Sequence, residues 1–211
     1  MTRSAFNRPN ENFMRGQALL QELMDSKNGT ADKALWLIAQ GADVNTRDIH
    51  GNSCLAWAAR RGFADVAAAL VKKDAPVNDR DIHNWSPLLW AAANGHPKVA
   101  EVLINHGADV NAQNDNRDTP LILATLLDKR NERLALAKML LLAGADARIE
   151  GAQSQTALES AYDTSDSDMI LLITPYLEKY SPATSPKALK AATTLQKPLK
   201  PLKTPRFKPK P

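Results

Sequence analysis

The string Gly41-Ala42-Asp43-Val44-Asn45 returns as Asp74-Ala75-Pro76-Val77-Asn78, then as Gly107-Ala108-Asp109-Val110-Asn111 and, weakened, as Gly144-Ala145-Asp146-Ala147-Arg148. The steps are 33, 33 and 37 residues (74 − 41, 107 − 74, 144 − 107). Twelve residues after each string stands a second marker: Ser53-Cys54-Leu55, Ser86-Pro87-Leu88, Thr119-Pro120-Leu121 and Thr156-Ala157-Leu158. Five residues beyond each Ser or Thr lies an alanine, at Ala58, Ala91, Ala124 and Ala161. A fixed period near 33 with self-similar content predicts an all-α repeat solenoid in which each unit packs only on its neighbours.

Two phased markers over four units resemble the ankyrin repeat. Its mark is Thr-Pro-Leu-His-x-Ala after a β-turn, and its close is Gly-Ala-Asp. The resemblance implies helix-turn-helix units with β-turn fingers. One position departs: where the family carries histidine, this chain has Ala56, Leu89, Ile122 and Glu159. That histidine usually makes structural hydrogen bonds, so its replacement bears on stability more than on fold.

About five units follow, including degenerate caps. Residues 1–15, with Asn7, Pro9, Asn10 and Asn12, read as a flexible arm. Residues 16–180 form the repeat domain. Its first unit, 16–46, has helical spacing at Leu19, Leu20 and Leu23, a stop at Asn28-Gly29 and a second helix through Leu37 and Ile38. Units 47–80 and 81–113 are the cleanest. The unit at 114–148 is four residues longer (37 − 33). Its extra length, around Asp128-Lys129-Arg130-Asn131-Glu132-Arg133, is expected to form a longer solvated loop. The last unit, 149–180, closes with an apolar helix that Pro175 is expected to break or kink. Residues 181–211 hold seven prolines among their lysines and are expected to be disordered, with a polyproline II bias.

The formal charge is split. The whole chain carries +4, the segment from Ser181 onward carries eight cations and no Asp or Glu, and residues 1–180 therefore carry 4 − 8 = −4. The single cysteine, Cys54, excludes an internal disulfide, fits a reducing compartment and reads as buried packing. No apolar run is long enough for a membrane helix, and the start lacks an apolar signal-peptide region. A monomeric cytoplasmic protein is expected, with translocation into a host cell left open.

No catalytic constellation emerges, and no cofactor is expected. His50 and His83 share one repeat position, so helix-packing spacing sets them about 10 Å apart. That is too far to share a zinc ion with ligand bonds of ~2 Å. His96 follows Gly95 in a structural pattern. What remains is surface recognition. The family resemblance implies a concave binding face made of turn tips and first helices. By phase the turn positions are Arg47, Ile49, His50 and Asn52, then Arg80, Ile82, His83 and Trp85, then Gln113, Asp115, Asn116 and Asp118. The variable position within the first helix holds Trp57, Trp90 and Leu123. Trp57 and Trp90 are either partner anchors or core wedges, and the sequence leaves both readings open. Trp36 reads as packing, and Arg60 with Arg61 as a solvated face.

The leading functional expectation is a non-catalytic module binding a protein partner of unknown identity. The alternative is a binder of nucleic acid or anionic membrane acting through the tail, with the repeats holding cargo. In that tail Pro198, Lys200, Pro201 and Lys203 fit a Pro-x-x-Pro-x-Lys pattern resembling an SH3-domain ligand. Arg206, Lys208 and Lys210 extend its charge.

Overall fold

The computed structural model describes residues 11–179. Ten α-helices run in pairs: α1 (Glu11–Met24) with α2 (Ala31–Ala39), α3 (Cys54–Arg61) with α4 (Ala64–Val71), α5 (Pro87–Ala93) with α6 (Pro97–Asn105), α7 (Pro120–Thr125) with α8 (Arg130–Leu142), and α9 (Ala157–Asp163) with α10 (Ser167–Lys179). The first helices pack as one row, α1 on α3 on α5 on α7 on α9, and the second helices as a parallel row, α2 to α10. Among the described residues there is no strand, only one antiparallel bridge between Arg47 and Ser53 at the base of a turn. The chain is an all-α repeat solenoid, as the 33-residue period predicts.

Each Ser/Thr marker is a helix N-cap. Ser53, Ser86, Thr119 and Thr156 sit in extended backbone, and their hydroxyls accept from the N–H of Ala56, Leu89, Ile122 and Glu159. Each satisfies one of the four donors a helix start leaves unpaired. At Thr156 the Glu159 carboxylate reaches back to the cap N–H, completing a capping box. The family's histidine position is thus the capped N3 residue, and the cap persists here without histidine.

The core is a set of columns running along the stack. Leu55, Leu88, Leu121 and Leu158 are buried at one repeat position, and Ala58, Ala91, Ala124 and Ala161 at a second. Val66, Val99, Leu136 and Met169 fill a third column, and Leu70, Leu103, Leu140 and Ile173 a fourth. Small alanines let adjacent first helices approach, and the branched columns fill the space between rows. Cys54 is fully buried within this core, and burial pushes its thiol pKa up to about 12, so it is an unreactive packing group.

Four sequence expectations need correction. Residues 11–15 are not an arm but the first turn of α1, where Arg15 pairs with Glu11 one turn earlier and donates to Gln40 O at 2.9 Å. Gly29 does not close α1 in the left-handed region. The helix stops at Met24, and the Asp25 carboxylate accepts the N–H groups of Lys27 and Asn28 to build the turn. Gly29 is there for close approach: a Cβ would collide with the carbonyl oxygens of Glu22 and Asp25.

The four extra residues of the third full unit do not form a loop. They lengthen the second helix from nine residues in α6 to thirteen in α8. Four residues are close to one 3.6-residue turn, so the apolar face keeps its direction. The added turn is pinned to the last unit. Arg130 pairs with Asp168, and Arg133 Nε lies 2.8 Å from Asp166 Oδ2, an ion pair without hydrogen-bond alignment. Finally, α10 continues through Pro175 instead of breaking there.

At the position of Gly41, Gly107 and Gly144, which all have positive φ, the chain carries Asp74 at φ 61°. An exposed L-residue held there is strained, because its Cβ crowds the backbone. Asp74→Gly is expected to raise stability by roughly 0.5–1 kcal/mol, read as a higher denaturant midpoint with unchanged slope. A lower midpoint would mean that the carboxylate has a stabilising role of its own.

Candidate functional site

The turns stack tip to tip. Ile82 N donates to His50 O at 3.1 Å, and one repeat later Asp115 N donates to His83 O at 3.2 Å. Side chains tie the same edge. Arg47 Nη2 pairs with Asp79 Oδ1 at 2.5 Å and its Nη1 donates to Gly51 O; Arg80 Nη1 donates to Gln113 O at 2.9 Å. Gln113 Nε2 donates to Arg117 O and Glu150 O, and Asn84 Nδ2 to Asp115 Oδ1. Arg47, Arg80 and Gln113 therefore bind one turn to the next. Asn52, read from sequence as a turn-tip position, is buried against Asp48.

The remaining tip residues stand outward. Ile49 is 92% exposed and Ile82 60%, at one repeat position, beside the exposed His50 and His83. Asp115 and Asn116 occupy the same two positions in the next unit, where the tip is polar. Two large aliphatic side chains left in water at adjacent tips are the informative feature, since such surface is costly unless something covers it.

Below the tips, on α3, α5 and the turn leading into α5, lies a stack of aromatic rings. Trp57, Trp85 and Trp90 are half-buried, resting on the core yet keeping an open edge. Trp85 and Trp90 stack with centroids 4.3 Å apart and planes 27° off parallel. The Arg60 guanidinium sits over both Trp57 and Trp90, 5.0 and 4.7 Å from their centroids, bridging the two repeats. The sequence alternatives of anchor and wedge are thus both half-met.

The polar ends of the two ladder tryptophans differ. Trp57 Nε1 donates to Asp48 Oδ2 at 3.0 Å. Asp48 also accepts from the Asn52 side chain and from the backbone of His50 and Asn52. Burial alone would raise its pKa, but these hydrogen bonds hold it below the ordinary carboxylate value. Trp90 has Asp81 at the equivalent place, but Asp81 Oδ1 is turned to the N–H groups of His83 and Trp85. The buried Trp90 Nε1–H finds no acceptor among the described residues.

Two expected positions fall away. Leu123, the third rung of the ladder, is only 8% exposed and closes a small cluster with Leu89, Ala92 and Ala112, so it offers a partner almost no surface. A leucine is shorter than tryptophan, and its neighbours close over it. Trp36, expected to pack, is 60% exposed on α2. Arg61 is not solvated either. It reaches back across the repeat boundary to three carbonyls of the first unit. Arg60 was missed for the same reason: its neighbours in space lie in two repeats, and only the Trp57–Trp90 spacing hinted at a slot between them.

His96 Nε2 lies 3.1 Å from Arg60 O, tying α6 to the end of α3. Among the described residues no group of three His, Cys, Asp or Glu could hold a metal ion, and no helix is long and apolar enough to cross a membrane. Pro198, Lys200, Pro201, Lys203, Arg206, Lys208 and Lys210 lie outside the described residues.

Comparison with known proteins agrees with this architecture. Residues 23–114 match the family model of ankyrin repeats in three copies, and residues 90–141 match the model of ankyrin repeats in many copies. Together the two matches span 23–141, more than half of the chain. No curated protein matches it.

Proposed function

The chain belongs to the ankyrin-repeat family, and from that premise we propose that it is a non-catalytic module that binds a protein partner across the turn tips and first helices of its second and third units. Ankyrin repeats are in general protein–protein interaction modules and typically non-catalytic. The single observation that carries the placement is the exposed pair Ile49 and Ile82 above the half-buried Trp57, Trp85 and Trp90. Aromatic side chains anchored in a rigid scaffold and rimmed by apolar surface are where binding energy concentrates. Much of the rest of the tip edge holds repeats together, Asp115 included, which accepts from Asn84 and faces His83 Nδ1 at 3.7 Å; His50, His83, Asp115 and Asn116 are nonetheless exposed and complete the contact surface.

The test uses a pair of substitutions that leave the fold alone. Ile49→Asp with Ile82→Asp puts two charges on tips that touch little, so melting is expected to stay within roughly 0.5 kcal/mol of the parent. Proteins crosslinked to the full-length chain in its native extract are expected to be lost from the double variant while the fold survives. Retention of the same proteins by the double variant would place the interface elsewhere.

A further inference from the structure

Asp48 and Asp81 hold the turns beside the tryptophan stack: both oxygens of Asp48 accept, from the N–H groups of His50 and Asn52, the Asn52 side chain and Trp57 Nε1, and Asp81 Oδ1 accepts from the N–H groups of His83 and Trp85. The Arg60 guanidinium, held flat between two indole rings, has no acceptor within hydrogen-bond reach among the described residues. A positioned fork of N–H groups matches a carboxylate in shape and charge.

We infer that the partner of this face presents an acidic side chain, whose carboxylate docks on Arg60 while an adjoining apolar side chain covers Ile49 and Ile82. The inference rests on the interface reading above and names the partner's chemistry. A polyanion such as nucleic acid is the poorer occupant: it needs a row of cations, whereas this face offers one guanidinium flanked by Asp48 and Asp81. The chain's own residues 181–211 are not the occupant, because they contain no Asp or Glu.

The experiment selects short random peptides on the full-length protein. Each retained sequence is then compared with its amide counterpart, Asp→Asn or Glu→Gln, on the parent, on Arg60→Met and on Ile49→Asp/Ile82→Asp. Acidic peptides are expected, and amide replacement or Arg60→Met is expected to weaken them by roughly tenfold or more, the effect of losing one hydrogen bond to a charged group. Arg60→Met gives up its two cation–π contacts, so a modestly lowered but still cooperative melt is expected and the loss of binding is not unfolding.

Peptides that need Ile49 and Ile82 but ignore both the amide replacement and Arg60→Met would overturn the carboxylate inference and leave the interface reading standing. Peptides indifferent to the two isoleucines, or no retained peptide at all, would overturn both. Selection of lysine- and proline-rich peptides would overturn the carboxylate in favour of a basic occupant.

Discussion

Arg61→Met is expected to unhinge the first unit from the rest of the stack. Arg61 stands at the end of α3, yet Nη1 donates to Leu23 O at 3.1 Å and Asp25 O at 2.6 Å, and Nη2 to Gly29 O at 3.0 Å. Leu23 O is one of the carbonyls that the end of α1 leaves without an intrahelical partner. The guanidinium satisfies it, places a cation at the negative end of the helix, and lies 4.7 Å over the Phe63 ring. Methionine keeps much of the side-chain volume but removes the fork. Three half-buried carbonyls then lose their donor, at a cost of about 3 kcal/mol.

In a solenoid that cost is local, because each unit is coupled only to its neighbour. The melt of Arg61→Met is expected to lose two-state form. Amide hydrogen exchange should accelerate through α1 and α2, while α5 to α8 stay protected. Arg61→Lys should fall between, since an ammonium reaches one or two carbonyls but not three. A melt of Arg61→Met that superimposes on the parent would show that the cap is held by apolar contacts alone, through Leu19, Leu23 and Leu37.

The sequence displays what recurs. The period, the Ser/Thr caps and the column of leucines from Leu55 to Leu158 were legible because each is the same local chemistry at a fixed interval. The left-handed positions were legible only where glycine marks them. Asn84, Arg117 and Ser154 share that backbone with Gly51, one per unit, but nothing in their identity says so. What does not recur was misread. The Asp128–Arg133 run looks like a polar loop. From Arg130 onward it is helix, because the unit's four-residue excess is near one turn and Asp166 and Asp168 wait across the boundary for its arginines. Glu11 and Arg15 carried a helical i,i+4 signal that the surrounding asparagines masked. The site was half legible. Phase put Trp57 and Trp90 on one line, but the partners that decide their character, Asp48, Trp85 and Arg60, come from neighbouring turns and helices.

Those partners make Trp57 and Trp90 behave differently under the same substitution. To alanine, both are expected to cost about 2–3 kcal/mol of folding stability, below the ~3–5 kcal/mol of a fully buried ring because each keeps an open edge. Trp90→Ala also removes the surface on which Trp85 and Arg60 rest, so Trp85→Ala adds less in that background than alone. The aromatic pair is expected to couple by about 1 kcal/mol in a double-mutant cycle. To phenylalanine the two diverge. Trp57→Phe deletes a made hydrogen bond to the half-buried Asp48, whose Oδ2 then keeps only the Asn52 amide as donor. Trp90→Phe deletes a buried N–H that has no acceptor, so relief of an unsatisfied group offsets much of the lost ring area. Trp57→Phe is therefore expected to be the more destabilising by about 1 kcal/mol, measured by chemical denaturation. Equal losses of stability from the two phenylalanine variants would show that the indole nitrogens do not distinguish these sites.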